Sequence, residues 1–434
     1  MRPSSTAGET RGELRVIRTT PFHDRLAPRN ATGLWQHWSG HLAAVKYQMD
    51  EKFEYFAVRN AAGLIDTSPL YKYRITGPDA ERFLAGVLAR DVRTCRDGQA
   101  QYTLWCDDSG HVVEDGVVFR HSRDHYSLTS AEPNLAWFAD RIGRRRVQIE
   151  DVSDQYGSLA VQGPRARQVL AGMVPELDTL RYFHHTPGKM GGAAVHVSRT
   201  GYTGDLGYEV WVEADDAGEV FDAVMEASAG QGVIPVGQSA LLMLRIEAGL
   251  VLIGVDFHSS RFAYTDQERS TPSELGFSWM FRDIATTDRA FIGRDAIRRE
   301  LAEGTSRWAM VGLVVDWQEW DARYRKAGLI PPKDEHPVVW EMMLYDDAGK
   351  RVGYTTSFMY SPVLQRHIAM ARVRPHLAAV GTRVQLEVTI DHRYRMVGAE
   401  VAKPPLFNPP RKTDVPSSSP SRALTSSLAN GGPA

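Results

Sequence analysis

The hydrophobic pattern of the chain switches repeatedly between a period of two and a period of 3.6. "YRITGPDAERFLAGVL" starts at Tyr73 and "LAVQGPRARQVLAGMV" at Leu159. Each reads as a short strand, a Gly-Pro exit (Gly77-Pro78 and Gly163-Pro164) and an amphipathic helix. Phe83, Leu84, Val87 and Leu88 share one helical face, as do Val169, Leu170, Met173 and Val174. A strand–turn–helix unit used twice predicts an α+β fold with two related halves. Two copies are too few for a solenoid.

From about residue 306 the period stays at two. "AMVGLVVDW", "HPVVWEMMLYDDAGKRVGYTTS" and "GTRVQLEVTI" read as strands, with a hairpin turn at Asp346-Asp347-Ala348-Gly349. This predicts a separate C-terminal β-barrel or sandwich over 305–403, after a first part over 13–300. Residues 1–12 and 413–434 are poor in bulky apolar residues and are expected to be disordered.

Composition narrows the class. The chain has 434 residues, which suits two or three domains, and its 43% hydrophobic and 24% charged content is that of a globular protein. A formal charge of −2 gives no basic field for nucleic acid or an anionic membrane. No apolar run is long enough to span a bilayer, and the polar N-terminus lacks the apolar core of a signal peptide. Cys95 and Cys106 make no disulfide framework, so a cytoplasmic setting is expected.

Several motifs are absent or weak. Neither G-x-G-x-x-G after a strand nor a P-loop occurs, and no Gly-x-Ser-x-Gly marks a hydrolase. His37 and His41 have helical metal-ligand spacing, but Ser39-Gly40 weakens a helix there and "HWSGH" has no Glu. His184-His185 face opposite sides of a strand and, without a Cys or carboxylate partner, read as surface or packing residues.

Three stretches carry chemistry. In "AVHVSRTGYTGDLGYEVWVE" (194–213), Tyr208, Val210 and Val212 alternate with Glu209, Trp211 and Glu213. A carboxylate beside an aromatic suits a flat heterocycle whose edge donates two parallel N–H bonds. The same alternation also fits a face turned to water. In "QYTLWCDDSGHVVEDGVVFR" (101–120), Glu114 and Asp115 are adjacent, so only one can look inward. An inward carboxylate could orient an amine or stabilise a developing cation; an edge strand with both acids in water is the alternative. In "PVGQSALLMLRIEAGLVLIGVDF" (235–257), a helix apolar nearly all round must find partners for Arg245 and Glu247. A structural ion pair suits Glu247, and Arg245 stays open.

Taken in order, the motifs "AAGLIDTS" (61–68), "ITGPDAERFL" (75–84), "YTLWCDDSGHVVEDGVV" (102–118), "AVQGPRA" (160–166), "SRTGYTGDLGYEV" (198–210), "LRIEAGL" (244–250), "TPSELGFSWMF" (271–281) and "FIGRDAI" (291–297), with "GYTTSFMYSPVLQRHIAMARV" (353–373), resemble the folate-dependent aminomethyltransferase family: the glycine cleavage T-protein and its demethylase and dimethylglycine-oxidation paralogues. The likeness runs from about residue 20 to 403. It implies a three-part cloverleaf of two related α+β domains plus a C-terminal β-barrel. It also implies one-carbon transfer to tetrahydrofolate, with Asp115 as the catalytic acid, Glu209 on the pterin edge, and Tyr102 and Tyr202 along it. Arg245 and Arg411 are candidates for the folate glutamate tail. The implied partners are a small-molecule one-carbon donor and, in glycine cleavage, a lipoyl carrier protein. The related activities are N-, O- or S-demethylation, or folate binding without turnover.

The sequence departs from the family on one side. Pro69-Leu70 stands where T-proteins carry His-Met, "IGVDF" is followed by a long segment (258–270), and 320–337 has the look of an insertion. The folate motifs are kept, and the changes fall on the donor side.

Overall fold

The computed structural model describes residues 17–333 and 336–415. The expected disordered N-terminus and nearly all of the expected tail lie outside them. Among the described residues three large β units stand beside one two-stranded hairpin. The first is an antiparallel sheet in the order Gln99–Cys106, Val112–Ser122, His125–Ser130, Tyr71–Thr76, Gln148–Asp151. The second has the order His185–Met190, Ala193–Ser198, Gly207–Glu213, Tyr156–Gln162, Ala62–Asp66, Val233–Pro235, with only the last pair parallel. The third is a closed six-stranded barrel running from Ala309–Val315 to Arg393–Ala402.

Both copies of the repeated unit form as expected. The strands Tyr71–Thr76 and Tyr156–Gln162 lead through Gly77 and Gly163 into the helices Ala80–Val87 and Ala166–Leu170. Both glycines hold positive φ, and a Cβ on either would strike backbone oxygen at about 2.5 Å. The faces read from the sequence are buried, with Met173 only partly covered, but the second helix stops at Leu170, so Met173 and Val174 follow it in a turn. The two halves are interleaved along the chain. Strand Ala62–Asp66 precedes the first sheet in sequence but pairs with Tyr156–Gln162 in the second. "HWSGH" is no helix: Trp35–Trp38 and His41–Ala44 form a hairpin that pairs His37 with Leu42.

Each unit has its own core, and a fourth core joins them. That central cluster takes Leu104, Cys106 and Val112 from the first sheet, Ile65 and Ala160 from the second, and Met359, Ile368 and Met370 from the barrel. Helix Gln238–Glu247 runs through it with Ala240, Met243, Leu244 and Ile246 wholly buried. At about 1.5–3 kcal/mol for each large apolar side chain removed from water, this shared core is the main bond between the units.

Helix Gln238–Glu247 also carries the polar ties. Glu247 accepts from Arg59 at 2.6 Å, Tyr55 Oη at 2.5 Å and the barrel's Ser361 Oγ at 2.6 Å. The structural pair expected for Glu247 is therefore formed. Arg245 bonds Asp256 at 2.6 Å and the barrel's Ser357 Oγ at 2.6 Å, with both charged side chains wholly buried. No helix among the described residues is long and apolar enough to cross a membrane.

Candidate functional site

Adjacent residues on the Val112–Ser122 strand turn to opposite faces. Asp115 pairs with Leu104, which belongs to the central cluster, and Glu114 pairs with Trp105, which belongs to the first sheet's own core. Asp115 Oδ2 accepts from Tyr102 Oη at 3.0 Å. Tyr102 in turn lies 5.4 Å from the Phe277 ring, both at the edge of the central cluster.

The two acids are coupled. Burial, then the charge of Asp115, push the Glu114 carboxyl far above the usual carboxylate range. Glu114 is 1% exposed, and its Oε2 has no hydrogen-bond partner among the described residues. Burial raises Asp115 as well, but the net rise is smaller, because the Tyr102 hydroxyl, its own backbone N–H and the Glu114 side chain favour its anion. Near neutrality Glu114 is therefore the protonated member, and Asp115 carries the charge toward the centre.

Glu209 comes from the second sheet. It pairs with Ser198 on one side and Ala160 on the other, so it shares the face that Ala160 and Ile65 give to the central cluster. The face that alternation leaves polar is turned toward the first sheet, where Trp211 packs on Phe119 at 5.3 Å. Its outer end, at Glu213, is exposed, and Glu209 and Trp211 are half-buried. Thr200 Oγ1 donates to Glu209 Oε2. Burial raises the Glu209 carboxyl, against the pull of Thr200 and the Lys72 ammonium. Lys72 is itself buried, held by the Ser68 and Leu70 carbonyls at 2.8 Å.

The glycines of "GYTGDLGYE" have a steric cause. The wholly buried Gln162 amide donates to the Thr200 and Tyr208 carbonyls and accepts from Thr203 Oγ1 at 2.9 Å. A Cβ on Gly201 or Gly207 would lie about 2.1–2.2 Å from that amide. The "AVQGP" glutamine thus organises the loop that sets Thr200 beside Glu209, which makes this an eight-residue loop between strands and not a tight hairpin turn.

Tyr202 joins the central cluster and donates its hydroxyl to the Val251 carbonyl at 2.5 Å. The cations considered for a ligand tail have partners in the structure. The wholly buried Arg245 guanidinium bonds Asp256 and Ser357 and so ties helix to barrel. Arg411 pairs with Asp205 at 2.6 Å. Phe277, Thr200 and Lys72 were not singled out from the sequence. The first two lie inside the quoted motifs, but only the assembled sheets show what they touch.

The long segment after "IGVDF" is fastened next to Asp115. Ser260 N donates to the Val112 carbonyl at 2.9 Å, and Val112 N donates to the Ser270 carbonyl at 2.8 Å. Between these anchors, Phe262 and Tyr264 are exposed.

Two sheets thus each set one carboxylate beside a core that aromatic rings pack against and that a barrel shares. The GCVT N-terminal domain model matches residues 22–282, and the glycine cleavage T-protein C-terminal barrel model matches 325–408. The chain belongs to the glycine cleavage T-protein family. It is 33% identical to an aminomethyltransferase of Halothermothrix orenii over 82% of this chain and 90% of that protein. It is 32% identical to a trimethylamine-oxide aldolase of Ruegeria pomeroyi over 88% of this chain, but spans only 46% of that longer protein. The crystal structure of the glycine cleavage system aminomethyltransferase T from Bartonella henselae matches with a TM-score of 0.74 over 91% of this chain and 99% of that one. At 22% identity that match speaks for the fold alone. The two relatives named by sequence are enzymes.

Proposed function

We propose that the chain transfers a one-carbon unit from a small amine donor to tetrahydrofolate. The observation that carries this reading is that Asp115 and Glu209, from different sheets, each pair with a member of one central cluster, against which Tyr102, Tyr202 and Phe277 pack. These residues fit a reduced pterin. A buried carboxylate accepts from an N–H edge, and aromatic rings suit a flat heterocycle. Tetrahydrofolate supplies the amine that receives the carbon. Glu209, held by Thr200, fixes the pterin edge. Asp115, held by Tyr102 Oη, orients the receiving amine and stabilises positive charge that develops beside it.

The donor is proposed to be a small N-methyl or aminomethyl compound. The segment 258–270, fastened on Val112 three residues before Asp115, favours a donor side rebuilt relative to glycine cleavage. The extended likeness to a trimethylamine-oxide aldolase points the same way. A lipoyl carrier protein is the partner in the glycine-cleavage alternative. Incubation with tetrahydrofolate and each donor class separates the readings. Methylene-tetrahydrofolate from a free aminomethyl compound, whose carbon is already at that oxidation level, or methyl-tetrahydrofolate from a free N-methyl amine, supports the proposal. Product only with an aminomethyl-lipoyl carrier shows the glycine-cleavage reaction. Folate binding without product from any donor shows a binding protein.

A further inference from the structure

The row that begins at Asp115 continues on the same face of its strand through Val117 and Phe119 to His121. Six residues on, roughly 20 Å from Asp115 at about 3.3 Å per residue, it meets histidines of the other sheet. His185 and His196 lie on neighbouring strands there. The ring centroids are 5.0 Å apart for His121–His185, 5.0 Å for His121–His196 and 4.6 Å for His185–His196. One ring nitrogen from each comes within 4.8 Å of the other two.

Two features separate this cluster from ring packing alone. His196 Nε2 is buried with no hydrogen-bond partner among the described residues. An unpaired buried ring nitrogen costs free energy unless something meets it. The other two rings are oriented from behind: His185 Nε2 lies 3.1 Å from the Arg120 carbonyl, and His121 Nε2 lies 2.9 Å from Ser127 Oγ. A carbonyl or hydroxyl on one ring nitrogen is the usual way a protein fixes a ligating imidazole.

We propose that His121, His185 and His196 form a zinc-class metal site that pins the two sheets together at the end of their joint remote from Asp115. Three imidazoles leave one position for water or for His125, whose ring is 4.5 Å from His121. Tetrahedral zinc with bonds of about 2.0–2.1 Å needs nitrogens about 3.4 Å apart, so small ring shifts close the observed spacing. The site is independent of the folate reading.

The test uses the tag-free full chain, stripped with chelator and titrated with Zn²⁺ and with Co²⁺ as a visible probe. One equivalent per chain is expected, with a rise in melting temperature. His196→Ala and His121→Ala should each lose at least about tenfold in affinity. Zinc X-ray absorption on the unmodified chain decides the matter even if the variants fold poorly. An imidazole nitrogen shell at about 2.0–2.1 Å is expected. No stoichiometric binding, binding unchanged in both variants, or a shell without imidazole would overturn the proposal and leave the cluster as packing.

Discussion

At the scale of single residues, the account depends on which of two neighbouring acids keeps its proton. Glu114 and Asp115 are one bond apart in sequence and belong to different cores. Glu114 is raised in the fold, so the unfolded chain loses this proton first as pH rises, and the native state pays for keeping it buried. Its contribution to stability is present below the ordinary carboxylate range and declines as pH climbs toward the raised folded value. Glu114→Gln should therefore gain on the parent between about pH 5 and about pH 8, by roughly 1–3 kcal/mol in denaturant unfolding. A gap that is constant with pH would show that Glu114 is ionised in the fold. Glu209 makes a separable prediction. Glu209→Ala should weaken tetrahydrofolate binding by about 1.5–3 kcal/mol, the usual worth of a hydrogen bond to a charged group. Calorimetric titration checks this, and unchanged affinity would remove Glu209 from the pterin edge.

At the scale of elements, helix Gln238–Glu247 does more than fill the core. Its two charged residues reach different partners on the barrel, Arg245 to Ser357 and Glu247 to Ser361. Arg245→Ala leaves Asp256 buried without its guanidinium, a change that costs about 3–5 kcal/mol. Chemical unfolding should show that loss, and a shift below about 1 kcal/mol would mean Asp256 finds another cation. The sequence identified this helix as apolar all round and left Arg245 open, because periodicity reports burial but not the partner met there. The same limit explains the histidines. His185 and His196 stand on the two strands of one hairpin, but His121 comes from the other sheet and from much earlier in the chain, so no local spacing announces the three. The polar face carrying Glu209 was legible as a face. That it meets another sheet and not water follows from long-range packing.

At the scale of the whole molecule, the repeated strand–turn–helix and the strand-rich C-terminal third made two α+β units and a barrel readable in advance. Their interleaving was not readable, since Ala62–Asp66 finds its partner strand some ninety residues later. That exchange matters for function. It ties the second sheet to the chain that precedes the first, and so helps hold Asp115 and Glu209 on one shared core. The central claim is that this core performs one-carbon transfer to tetrahydrofolate through Asp115. The most direct measurement is folate product formation by the parent chain and by Asp115→Asn, with tetrahydrofolate affinity measured on both. The parent should convert tetrahydrofolate with an accepted donor. Asp115→Asn should bind it about as well and turn over at least about a hundredfold more slowly. Equal turnover by the two proteins would contradict the account.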